Sequence, residues 1–240
     1  MAPLYKAAAA FCLVGLSWLQ SGANASEQYK YQAVQVDEDA YLTVKLARNG
    51  QISAKTSSVE KDATTVSALE KKVKANEDSP KESCEALLTG DLKTVFYYSF
   101  KYTEKPDYRA LVQEALNTGL EEFGTYPEEP SGWEKIWEND EVHSVLHLLG
   151  ANSTKVGCVI GNCVKTSATD TPIKSVLFCQ LEPAATASDA AFSEEYFKEI
   201  STRKTELKSM TEDDLKSSAN AAVPSILTAG LVAILAAISA

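Results

Sequence analysis

The chain has 240 residues, with 33 acidic against 23 basic side chains and a formal net charge of −10. That acidic balance excludes a nucleic-acid binder, which needs a basic face to displace counterions from phosphate. Apolar residues at 45% and charged ones at 23% exclude wholesale disorder and are sufficient for one substantial core.

In chain order, residues 1–25 read as a secretory signal, to be removed. Lys6 supplies the basic n-region, residues 7–19 (AAAAFCLVGLSWL) are apolar, and Ala23-Asn24-Ala25 offers a small-x-small cleavage site before Ser26. The apolar run is short of the roughly 20 residues a bilayer span takes. Residues 37–48 (DEDAYLTVKLAR) run from acids to bases before Asn49-Gly50, the order a helix dipole favours, with a glycine stop. Residues 59–74 predict a strongly charged helix, and Ser79-Pro80 opens a short helical stretch carrying Cys84, Ala86, Leu87 and Leu88. Residues 93–102 (KTVFYYSFKY) are the clearest strand, being rich in β-branched and aromatic side chains.

Asp107 caps the next helix, whose apolar stripe is Leu111, Ala115, Leu116, Leu120 and Phe123. Residues 124–132 (GTYPEEPSG) break the chain, and Trp133 and Trp137 read as core anchors. Residues 140–149 predict a helix with Val142, Val145, Leu146 and Leu149 at i, i+3, i+4 and i+7, closed by Gly150. Strands over 155–164 and 175–181 flank the polar loop TSATDTP, and after a linker at 183–187 a last helix is marked by Phe192, Tyr196, Phe197 and Ile200. Helices before, between and after a few strands define an α+β domain over residues 26–208, with helices packed on a small antiparallel or mixed sheet. Residues 209–217 are polar and read as a membrane-proximal stalk.

At the far end, residues 226–239 (ILTAGLVAILAAIS) are apolar and lack the basic flank of a stop-transfer helix. Small residues upstream, a spacer and this tail make the pattern exchanged for a glycosylphosphatidylinositol (GPI) lipid. Ser217 is the first choice for lipidation, with Ser218, Ala219 and Asn220 as alternatives, and residues 218–240 form the propeptide. Residues 26–217 keep all 33 acidic side chains and 22 basic ones, for a net −11. The expected location is the cell surface, on the outer leaflet, with the membrane touched through the lipid only.

Cys12 leaves with the signal; Cys84, Cys158, Cys163 and Cys179 stay, implying two disulfides in an oxidising compartment with three pairings open. Their spacing fits no CxxC metal knuckle. His143 and His147, the only histidines, stand at i and i+4 on a predicted helix and are weak candidates for metal ligands. A zincin helix needs Glu after its first His, and Ser144 stands there. No nucleophile elbow, P-loop or dinucleotide-binding glycine pattern occurs, so no catalytic residue and no cofactor is assigned. The acidic pairs and runs follow no EF-hand spacing and read as solvated faces. Asn152-Ser153-Thr154 is the N-glycosylation sequon of the processed chain, with Asn152 as acceptor.

The segment Val156-Gly157-Cys158-Val159-Ile160-Gly161-Asn162-Cys163, followed by Ser175-Val176-Leu177-Phe178-Cys179, resembles the second half of the CAP domain. That superfamily comprises the cysteine-rich secretory, antigen-5 and pathogenesis-related proteins. With both processed ends and an acidic ectodomain, the whole chain is similar to the SAG family of Eimeria surface antigens. The resemblance implies a CAP-like α/β/α sandwich with disulfides Cys84–Cys163 and Cys158–Cys179. In CAP proteins with a metal-competent cleft, two His and two acidic residues serve, and counting back from Gly157-Cys158 one such His falls at Ser144, one position from His143. The resemblance further implies a GPI-anchored, non-enzymatic antigen of an apicomplexan parasite, meeting host-cell surface or immune components. The alternatives are a sterol or fatty-acid carrier and a metal enzyme using His143 and His147.

Overall fold

The computed structural model describes residues 27–75, 80–167, 171–187 and 189–216. The signal, the lipidation candidates Ser217, Ser218, Ala219 and Asn220, and the apolar tail lie outside the described residues. Strand β1 (Tyr29–Gln35) precedes helix α1 (Glu38–Asn49), which Asp37 caps by accepting from the Asp39 N–H. Strand β2 (Glu60–Lys61) leads at once into α2 (Ala63–Lys74), capped by Asp62. After a 3-10 turn at Glu85–Leu87 and the short α3 (Gly90–Lys93) comes β3 (Phe96–Lys101). Helices α4 (Tyr108–Phe123), α5 (Pro130–Trp137) and α6 (Asp140–Leu149) follow. The hairpin strands β4 (Lys155–Lys165) and β5 (Lys174–Glu182) and helix α7 (Glu194–Thr202) complete the regular elements.

The sheet order is β1-β4-β5-β3, antiparallel throughout, and β2 adds a two-residue parallel pairing to the start of β4, so the sheet is mixed. From Val156 to Gly161 every residue of β4 is buried, which for side chains alternating between faces means that both faces are covered. Helix α2 covers one: a Cβ on Gly157 would meet the Val66 nitrogen at 2.4 Å. Helices α1, α4 and α6 cover the other, so the α+β domain is a three-layer α/β/α sandwich.

Two arginines, Arg48 buried and Arg203 partly buried, tie the helical layer together. Arg48, fully buried, donates to the carbonyls of Leu148 (2.7 Å), Ser57 (3.1 Å) and Ser153 (3.4 Å). Arg203 donates to the carbonyls of Leu46, Ala47 and Gly50 at the end of α1. Each reaches carbonyls in the last turn of a helix, Leu148 of α6 for Arg48 and Leu46 and Ala47 of α1 for Arg203, where the intrahelical bonds run out.

Four sequence expectations are corrected. No element is expected before Asp37, yet β1 pairs along seven residues of β4. The helix expected from residue 59 begins only at Ala63, because Glu60 and Lys61 pair with β4 and Asp62 is the cap. The break at 124–132 ends inside α5, which Pro130 starts at the first helical position, where its missing N–H costs nothing. Residues 209–216 are no stalk. Met210 is 1% exposed, Gln51 N–H donates to the Asp214 carbonyl, and Lys55 donates to that of Leu215. One buried methionine and a pair of 3-10 turns (Leu207–Ser209 and Glu212–Leu215) suffice to dock an otherwise polar segment.

Candidate functional site

Helix α6 carries most of the groups with chemical potential, on two sides. Toward the sheet, Ser144 Oγ accepts from the Tyr97 N–H (2.9 Å) and donates to the Tyr97 carbonyl (2.7 Å). A side chain thus replaces a further strand at the outer edge of β3, one way to protect an edge. Beside this contact a cavity of about 260 Å³ opens between β3, α4 and α6, lined by Tyr97, Tyr98, Ala115, Glu141, Ser144 and Val145 among others. Neither tyrosine stands out in the sequence as more than a strand residue; the cavity depends on β3, α4 and α6 coming together.

On the other side, His143 and His147 meet with their Nε2 atoms 2.9 Å apart and ring centroids 4.4 Å apart. The Trp137 ring stands edge-on to both, at 5.3 Å and 5.2 Å between centroids. His147 is buried more deeply than a boundary position on the helical wheel implies, and His143 is half-buried. Burial lowers the pKa of His143, which Asp140 opposes and Lys93 reinforces. Burial, and then the neighbouring His143, lowers that of His147 to about 4. Both rings are therefore neutral near pH 7, with one shared proton linking them.

The four-residue metal cleft of some CAP proteins does not fit these residues. Ser144 stands at the position of one expected His, and its hydroxyl is engaged at both ends by Tyr97. Among the described residues, no group of three or more His, Cys, Asp or Glu side chains is placed to hold an ion.

Cys158 and Cys179 are bonded and directly opposed on β4 and β5, with Cα atoms 4.1 Å apart. Cys84 and Cys163 are bonded across 79 residues, tying the 3-10 turn to β4. All four are buried. Asn152 is exposed in the loop after α6, while its neighbour Ser153 is buried and donates to the Pro183 carbonyl (2.7 Å). The sequon is thus presented outward from a fixed backbone. Asp37, Glu38, Asp39, Glu121, Glu122, Glu194 and Glu195 are exposed. Trp133 and Trp137 are buried, Trp133 within a cluster of Phe123, Tyr126 and Phe192.

Together these features define a disulfide-stapled α/β/α domain with an acidic exterior. Among solved structures the chain is similar to the surface antigen protein SAG19 of Eimeria tenella, at 17% identity and a TM-score of 0.46. That match covers 71% of this chain and 97% of the other. It is also similar to the hookworm platelet inhibitor (16% identity, TM-score 0.39, 69% and 81% covered). A third similar structure is MpPR-1i (19% identity, TM-score 0.37, 63% and 93% covered). No protein-family model matches the chain, and no curated protein matches it. No helix among the described residues is long and apolar enough to cross a membrane.

Proposed function

We propose that the chain is a non-enzymatic surface antigen, held at the outer face of the plasma membrane by a GPI lipid and engaged in host-cell attachment or contact with host immune components. The observation that carries this reading is the pair of buried disulfides, Cys84–Cys163 and Cys158–Cys179, in a chain with a signal-like start and a lipidation-like end. Disulfides of this kind belong to the secretory pathway, and GPI attachment requires entry into it. Because residues 209–216 pack on the domain, Ser217 follows directly on a docked segment, and the domain sits close to the bilayer instead of on a stalk. Its acidic exterior favours a basic partner surface and disfavours direct adhesion to anionic glycans.

Phosphatidylinositol-specific phospholipase C applied to intact cells tests the anchor. Release of the protein into the medium is expected; retention that survives both the enzyme and a high-salt wash refutes it. Binding of the ectodomain to host cells, with heat-denatured protein as control, tests the adhesive role. The carrier reading gains little from the cavity at β3, since about 260 Å³ lies below the roughly 300 Å³ at which small-molecule pockets begin. The larger hollow of about 510 Å³ mixes the acidic Glu38, Asp39, Glu60 and Glu212 with Tyr41, Leu42 and Leu215.

A further inference from the structure

We propose that His143 and His147 form a two-imidazole site for a tetragonal divalent transition ion, copper(II) before nickel(II). Spacing carries the assignment. Metal–imidazole bonds run about 2.0–2.1 Å, so two of them meeting at a right angle place their nitrogens about 2.9 Å apart. At the tetrahedral angle that zinc prefers, the same bonds place them about 3.3 Å apart. The Nε2 atoms are 2.9 Å apart. The pair therefore matches the cis edge of a tetragonal site as it stands, and it would have to open to hold zinc.

Ring orientation points the same way. In a collinear N–H···N contact the centroids would be separated by the nitrogen spacing plus both ring radii. The observed 4.4 Å, with 66° between ring planes, is shorter, so the ring axes are canted off the line joining the nitrogens. Two rings bound to one ion at a right angle are likewise not collinear, so this arrangement is compatible with a shared ion. The placement is built into the helix: positions i and i+4 of α6 stack the rings on one side, and Trp137 packs against both and holds them. His143, half-buried, leaves the pair a route to solvent, while the buried His147 backs it.

The charged groups nearby are Asp140, one turn before His143, and Lys93 of α3, which are ion-paired at 2.5 Å. Their effects on a positive charge at His143 are of opposite sign, Asp140 favouring it and Lys93 disfavouring it. On binding, the ring that donates its Nε2–H changes tautomer, its proton passing through solvent to Nδ1, so that two neutral Nε2 lone pairs face the ion, with water in the remaining positions. Copper(II) stands above nickel(II) and zinc(II) in intrinsic affinity for such nitrogen donors, so affinity and bite distance favour the same ion. The site does not use Ser144, the position at which the CAP pattern would place a His.

The full chain titrated with copper(II) in a weakly chelating buffer provides the test, read by tryptophan fluorescence and electron paramagnetic resonance. One equivalent should quench Trp137 and give an axial signal with coupling to two nitrogens. Zinc(II) should compete about tenfold less well or worse. His143→Ala should weaken binding by about tenfold or more, and the His143→Ala/His147→Ala pair should abolish it. Because His143 is half-buried, its variant is checked for an unchanged melting temperature and serves as the deciding one if His147→Ala does not fold. Quenching that persists in the folded His143→Ala variant at wild-type strength overturns the site, and so does no quenching up to millimolar copper. Zinc binding as tightly as copper overturns the tetragonal assignment.

Discussion

Gly157 offers a direct test of how the layers fit. A Cβ there would lie 2.4 Å from the Val66 nitrogen, 2.6 Å from the Thr65 carbonyl carbon and 2.9 Å from the Val66 Cα. All three are backbone atoms of α2, so no side chain can rotate out of the way. The helix cannot retreat freely either. Asp62, its cap, donates its N–H to the Val156 carbonyl (2.9 Å), and Leu69 and Val73 are fully buried behind it. Overpacking of this kind costs about 3 kcal/mol. Loss of glycine's freedom in the unfolded chain returns about 0.7 kcal/mol, leaving Gly157→Ala destabilised by about 2 kcal/mol. With a urea slope of about 2 kcal/mol per molar, the unfolding midpoint should fall by about 1 M. Gly90→Ala is the control, since a Cβ there meets nothing within 4 Å, and it should stay within about 0.5 kcal/mol of wild type. If the two variants are equally stable, the close approach of α2 to β4 is refuted.

Met210→Ala should cost about 2–4 kcal/mol in the same assay, as for a buried methionine; a change below about 0.5 kcal/mol would restore the stalk. In the metal-free protein, stability should fall as pH drops from about 6.5 to about 4. The lowered pKa of His147 means that the unfolded chain binds more protons in that window, so the neutral-ring stability present above it is lost. For a shift of that size the loss is about 3 kcal/mol, and chevron plots across the window should flatten in His147→Gln; an unchanged slope refutes the assignment to that ring. Replacing Cys84 and Cys163 together with Ser should destabilise more than replacing Cys158 and Cys179. Their sequence separations of 79 and 21 residues correspond to about 4.5 and about 3.3 kcal/mol of loop-closure entropy, and thermal melts that reverse the order would count against it.

Much of the domain is legible locally because its signals are short-range. Asp37, Asp107 and the periodic apolar residues of α6 announce their helices within one or two turns, and the aromatic run of β3 announces a strand. Four cysteines in residues 26–217 imply two disulfides, while which sulfurs meet depends on β4 passing both β5 and the turn at Glu85–Leu87. Strand β1 alternates weakly, with Tyr31 alone fully buried, and becomes a strand because β4 offers an edge. Helix α5 is eight residues long, too short to show periodicity, and is held by Trp133 and Trp137 entering the core. Arg48 reads as an ordinary basic residue at a helix end, and only the meeting of α1 with the end of α6 buries it among carbonyls. His143 and His147 are visible as a pair in any helix. Their neutrality and their 2.9 Å contact follow from Trp137 and the surrounding layer. Composition, caps and cysteine parity are properties of the chain itself; burial, pairing and proton affinity belong to surfaces that come together only when the layers close.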